Sequence, residues 1–145
     1  MTIHGVINEE TGETLTFEEG TPGFVGSRLQ INLPKTSPKS LKVKIRYTTA
    51  KNASALQWLP KEQTAGKTHP YLFSQCQAIH CRSMVPCQDT PVVKATYSAS
   101  ITAPDDMIVL MSANRKGTTD HGNGKKMFKF EQNIPIQVFC KVTKA

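Results

Sequence analysis

Strict alternation of apolar and polar residues is the feature that most constrains this chain. In 41–47, Leu41, Val43, Ile45 and Tyr47 fall on one side and Lys42, Lys44 and Arg46 on the other. In 93–103, Val93, Ala95, Tyr97, Ala99, Ile101 and Ala103 alternate with Lys94, Thr96, Ser98, Ser100 and Thr102. Near the end, Ile134, Ile136, Val138, Cys140 and Val142 line up on one face. A period of two is the signature of strands that bury one face and wet the other, the pattern of antiparallel sheets. Weaker strands are expected at 3–8, 13–18, 28–33, 56–59, 71–74, 107–112 and 126–132.

Breakers fall between these runs. Asn8 to Gly12 reads as a hairpin turn, and Gly20 to Gly23 and Pro34 to Pro38 interrupt the chain. Gly117 to Gly124 reads as a mobile polar hairpin loop. No segment carries a long 3.6-residue period; one short helix is expected at about 78–84, beside Pro86. The pattern predicts an all-β antiparallel sandwich or saddle of about eight to ten strands. With 145 residues, this is a single β domain over 1–145, long enough to bury about 68–70% of its unfolded surface.

Composition narrows the function. Net charge is +7, but the signs are segregated. Residues 1–27 hold Glu9, Glu10, Glu13, Glu18 and Glu19 with no Lys or Arg, whereas 28–61 hold eight cations and no acid. The cations lack interleaved aromatics and any nucleic-acid motif, so they read as a solvated sheet face and not a nucleic-acid surface. No apolar run reaches the length of a membrane helix, and the N-terminus lacks the basic-then-apolar order of a secretory signal. Four cysteines, Cys76, Cys81, Cys87 and Cys140, are expected to be reduced thiols in the cytoplasm. A zinc site can be drawn from Cys76, Cys81, Cys87 and His80, but its spacings do not match paired C-x2-C knuckles. Ala65-Gly-Lys-Thr68 lacks the earlier glycine of a phosphate loop, since Lys61 stands there. Asp105 and Asp106 are adjacent acids on a turn. A Cys76 or Cys81 nucleophile beside His80 has no third group to orient it.

One stretch stands apart: Pro70-Tyr-Leu-Phe-Ser-Gln-Cys-Gln-Ala-Ile-His-Cys-Arg82, followed by Pro86-Cys-Gln-Asp-Thr-Pro91. Gln75 and Gln77, at alternate positions, fall on one side of an extended segment and offer donors and acceptors suited to a peptide backbone or carboxylate. The plainer alternative is that these amides satisfy backbone groups where a strand enters a loop. The stretch resembles the N-terminal domain of the leukotriene A(4) hydrolase and aminopeptidase family of zinc enzymes. Similarity extends from Val6-Ile-Asn8 through Ser54-Ala-Leu-Gln-Trp-Leu59 and Leu110-Met-Ser-Ala113 to about Ile134. Arg82-x-x-x-Pro-Cys-x-Asp-x-Pro91 resembles a signature of the wider zinc aminopeptidase superfamily.

The resemblance implies a saddle-shaped β domain that packs on a catalytic domain and forms one wall of its cleft. It implies substrate contact at Gln75, Cys76, Gln77 and Ala78, with Gln77 nearest the peptide's N-terminal residue, and a loop-shaping role for Arg82 and Asp89. The family carries zinc on a His-Glu-x-x-His helix in a later domain. His4, His69, His80 and His121 offer no such pair, and the family's Gly-Met-Glu-Asn motif is absent. The family's opening strands also have no counterpart here. The expectation is a non-catalytic substrate-recognition domain, with no catalytic residue and no cofactor of its own. Its partners would be a peptide N-terminus, held weakly, and a catalytic domain. The alternative is a stand-alone module that pairs with another chain through the same surface.

Overall fold

The computed structural model describes residues 1–34, 40–137 and, for the backbone, 143–144. The described residues are all-β, with 49% strand and 5% helix. Every pairing between strands is antiparallel.

The N-terminal pair joins β1 (Thr2–Asn8) to β4 (Val43–Thr48). The expected turn follows β1: Gly12 N–H donates to the Asn8 carbonyl (2.8 Å), with Gly12 at φ +74°. The Asn8 side chain accepts the Glu10 N–H at 3.0 Å, so this largely buried amide is satisfied within its own turn. Between β1 and β4 lies a short hairpin of β2 (Phe17–Glu19) and β3 (Leu29–Ile31).

The sheet with the longest strands is β7 (Lys94–Pro104), β9 (Asn114–Gly122) and β10 (Lys125–Gln137), with β10 in the centre. Here the alternation predicted for 93–103 places Ala99, Ile101 and Ala103 against Val109, Phe128 and Phe130. Residues 126–132 and the first part of the 134–142 run form one continuous strand, bulged between Gln132 and Ile136. Val138, Cys140 and Val142 lie outside the described residues. Gly117 to Gly124 is not a loop: β9 runs to Gly122, and the turn is Asn123-Gly124 alone, at φ +53° and +68°. Two positive φ values in a two-residue Asn-Gly connection match the right-handed twist of the strands it joins. β9 carries no large apolar side chain, so periodicity could not reveal it; backbone pairing to β10 makes it a strand.

The fourth sheet runs β5 (Leu56–Leu59), β6 (Tyr71–Ser74), β11 (Thr143–Lys144), β8 (Leu110–Met111). Thus 107–112 shrinks to two strand residues. The helix expected at 78–84 is a single 3-10 turn, Cys81–Ser83, preceded by a turn at 77–80. Pro86 biases Val85 away from helical backbone and works against any continuation. His69 approaches Asp106 at 3.1 Å, tying the loop before β6 to the turn after β7. Ala65 to Thr68 is an ordinary surface turn.

The core divides in two. One cluster is Val109, Phe128 and Phe130; the other is Ala55, Cys76 and Cys81, with Met84 and Val85 against it. Around these small cores the surface is large: 10105 Å², where a compact monomer of 16.0 kDa would expose roughly 7,400 Å².

Phe130→Ala should lower the unfolding free energy by about 3–5 kcal/mol, because its ring is almost fully enclosed. Thr119→Ala, on the exposed face of β9, should stay within about 0.5 kcal/mol. Urea denaturation of both variants checks the assignment of the core.

Candidate functional site

The segment after β6 is fixed from three directions. The Gln75 N–H donates to the Ala55 carbonyl (2.8 Å), extending the β5–β6 ladder by one bond. The Cys76 side chain then turns inward, 1% exposed, into the smaller core. The chain next folds into a turn in which His80 N–H donates to the Cys76 carbonyl at 2.9 Å. Two serines staple that turn to the chain ahead of β5. Ser83 Oγ accepts the Ala55 N–H (2.9 Å) and donates to the His80 carbonyl (2.8 Å). Ser54 Oγ lies 2.8 Å from His80 Nδ1. Ser54 opens one of the stretches that carry the family resemblance and Ser83 is a variable position of the Arg82–Pro91 signature, but neither position signals this stapling task.

Among the resemblance's four site residues, Gln75, Gln77 and Ala78 are exposed and Cys76 is buried. The Cys76 side chain faces the core and is not exposed to a ligand arriving from solvent. The extended run ends earlier than expected: β6 stops at Ser74 and the turn begins at Gln77. The Gln77–Ala78 peptide bond is cis. Neither Gln75 nor Gln77 is enclosed in the sheet.

Arg82 and Asp89 form the support behind the segment. The Asp89 carboxylate is 4% exposed. Its Oδ2 accepts from both the Arg82 N–H (3.1 Å) and Arg82 Nε (3.0 Å). Arg82 Nη2 donates to the Asp89 carbonyl (3.0 Å), and Nη1 reaches the Val25 carbonyl at 2.7 Å. One guanidinium therefore closes the 82–89 loop and holds the β2–β3 connection against it. A planar fork of fixed donors does this; a lysine could not.

The three cysteines of this region converge. Cys81 is fully enclosed, and its thiol hydrogen-bonds those of Cys76 and Cys87. Those bonds, and then burial, push the Cys81 thiol above its ordinary range and keep it protonated. Burial likewise raises the Tyr47 phenol, with the nearby Cys81 and Cys87 adding to the effect. Cys76, Cys81 and Cys87 are free thiols; Cys140 lies outside the described residues. Among the described residues, no group of three His, Cys, Asp or Glu side chains is arranged to hold a metal ion. The His80 ring is engaged by Ser54.

The sequence matches the Peptidase M1 N-terminal domain family over residues 4–138. The chain belongs to that family. Leukotriene A-4 hydrolase of Xenopus laevis is 50% identical over 130 residues, 86% of this chain and 21% of its own length. Leucine aminopeptidase 2 of Yarrowia lipolytica is 47% identical over 114 residues, covering 79% of this chain and 17% of that protein. The native leukotriene A4 hydrolase structure from Saccharomyces cerevisiae superposes with a TM-score of 0.84 at 34% identity, over 99% of this chain and 21% of that one. An M1 zinc metallopeptidase from Deinococcus radiodurans shares the fold at 17% identity and TM-score 0.74. This M1 N-terminal domain thus spans about one fifth of the length of its hydrolase relatives. Among the described residues, no helix is long and apolar enough to cross a membrane.

Asp89→Ala should cost about 2–3 kcal/mol of stability. This is below the ~3–5 kcal/mol of a fully buried pair because Arg82 keeps partial contact with water. Chemical denaturation measures it, and the same change should speed proteolysis within 82–89.

Proposed function

We propose that this domain forms one wall of a peptide-binding cleft, completed by a catalytic domain elsewhere in a longer chain. Gln75 and Gln77 would then contact the N-terminal residue of the peptide. One observation carries the reading. Buried Cys76 and the two serine staples fix the backbone of 75–80, while the glutamine amides on either side of Cys76 point to solvent. Amides held on a fixed backbone lose little entropy on gripping a ligand. The leucine aminopeptidases among the relatives suggest the ligand class, a peptide with a free N-terminus. In this reading the chain alone is non-catalytic, and zinc belongs to residues outside it. Free thiols at 76, 81 and 87 fit a reducing, cytoplasmic setting.

The outer surface fits the same picture. Residues directly opposite in paired strands share a face, so Leu59, Tyr71, Phe73 and Leu110 lie on one side of the fourth sheet. Leu110 is 54% exposed, and Tyr71 and Phe73 are only partly covered. Gln57, opposite Phe73, shares that side; together with the excess surface, this partly apolar face suits a cover of chain not represented here. It also favours the second reading, a stand-alone module that pairs with a separate chain.

Replacing the matching segment of the Xenopus laevis enzyme with this domain tests the first reading. In that chimaera, Gln77→Ala should lower kcat/KM for leucyl substrates by roughly tenfold or more, the loss of a hydrogen bond to a charged group. Folding stability should change by less than about 0.5 kcal/mol, as for other surface substitutions. Unchanged kinetics would remove Gln77 from the substrate site. The isolated domain should show no hydrolysis of the same substrates. Recovery of a separate partner through the Leu59–Leu110 face, with no activity in the chimaera, would favour the second reading.

A further inference from the structure

β7 lies at the edge of its sheet and is eleven residues long, Lys94–Pro104. Among the described residues its one strand neighbour is β10, so no strand lies along its other side. An open edge is a template for a further strand, and folds blunt such edges with charge, proline, a bulge or short length. β7 uses none of these between Ala95 and Ala103, where no residue is charged and none is proline. The bulge in this pairing lies in β10. Charges sit only at the ends: exposed Lys94 at the start, and exposed Asp105 and Asp106 in the turn after Pro104. The other edges differ. β9 carries Arg115, Lys116 and Asp120. β4 carries Lys44 and Arg46, which a second β4 laid antiparallel against it would oppose with its own cations.

We propose that β7 is a self-association edge, through which two copies of this chain pair antiparallel about a two-fold axis at Ser100. The strand is self-complementary in that register. Ser98 faces the partner's Thr102, Ser100 faces its own copy, and Ala99 faces the partner's Ile101. Alternate residues share a face, so the exposed hydroxyls meet on one face and the half-buried apolar side chains on the other. At each end Lys94 comes beside the partner's Asp106, so the only charges near the interface are opposite in sign. Moving the axis one residue either way sets Lys94 against Pro104 or Ile108 instead. Pairing makes one continuous sheet in the order β9-β10-β7-β7-β10-β9. The contact is isologous and closes at two copies, since it consumes the open edge of both. Two magnitudes limit its strength. Each copy carries +7, and one strand supplies eleven residues a side where a stable interface uses about 20–30. The dimer is therefore weak and depends on concentration. It involves a different sheet from the Leu59–Leu110 face and does not depend on what covers that face.

Sedimentation velocity of the whole chain, from low to high micromolar concentration, should show the average mass rising from 16.0 kDa toward twice that value. Hydrogen exchange over the same range needs no variant, and amides within 98–103 should slow as concentration rises. Ser100→Glu sets two carboxylates against each other at the axis, while within its own sheet the new side chain lies beside Lys129. It should raise the dissociation constant at least about tenfold and leave the urea midpoint of the dilute, monomeric chain unchanged. Lys94→Glu, which opposes like charges at both ends, should weaken the dimer severalfold. A chain that stays at 16.0 kDa throughout, a dimer indifferent to Ser100→Glu or to Lys94→Glu, or growth past two copies would each overturn the proposal. So would slowed exchange at 59–73 in place of 98–103, which would give the interface to the other face.

Discussion

The Arg82–Asp89 pair is the interaction on which the functional end of this domain depends. Between β6 and β7 the chain runs nineteen residues without a strand, yet it must hold Gln75 to Ala78 in one place. Helical geometry is unavailable beside Pro86, and a sheet ladder ends at Ser74. A guanidinium whose Nε, Nη1 and Nη2 all donate, to one carboxylate and two carbonyls, replaces the missing secondary structure. The nearly buried carboxylate makes the arrangement costly to break, because either partner alone would be left in poor solvent. Cys81 immediately precedes Arg82, so the same clamp sets the thiol cluster.

The fold was legible wherever a strand buries one face. Tyr97, Ala99, Ile101 and Ala103 announced β7, and Leu41 to Tyr47 announced β4, because water on one side and core on the other impose a period of two. β9 was illegible for the converse reason: Arg115 to His121 bury little, and their strand conformation comes from hydrogen bonds to β10. The Asn123-Gly124 dipeptide was the available signal, narrower than the Gly117 to Gly124 interval read as a loop. At the site, Gln75 and Gln77 stood out by their spacing, and Arg82 and Asp89 by the family signature. The staples were hidden, since Ser54 and Ser83 reach partners 26 and 28 residues away, contacts no local pattern encodes.

Two small cores and a broad surface follow from the same architecture. The described strands form several small sheets, and a single layer of sheet cannot cover both of its faces. Burial of Phe128 and Phe130 secures the inner side of the β7–β10–β9 sheet, while the β5–β6 sheet keeps Trp58 58% exposed. A surface of this kind is stable in water yet still has free energy to gain from a neighbour, as the domains of a larger enzyme do when they pack.

Chain order adds a temporal dimension. β11 sits between β6 and β8, so the edges that face it pair only after residues 143–144 arrive. While the ribosome is still extending the chain, the N–H and C=O groups along the β11-facing side of β6 stand open next to Leu72 and Phe73. Such an edge recruits other strands if left waiting. The Asn123-Gly124 hairpin belongs to the other sheet; its local contacts close within microseconds, so the β9–β10 pair has no such wait.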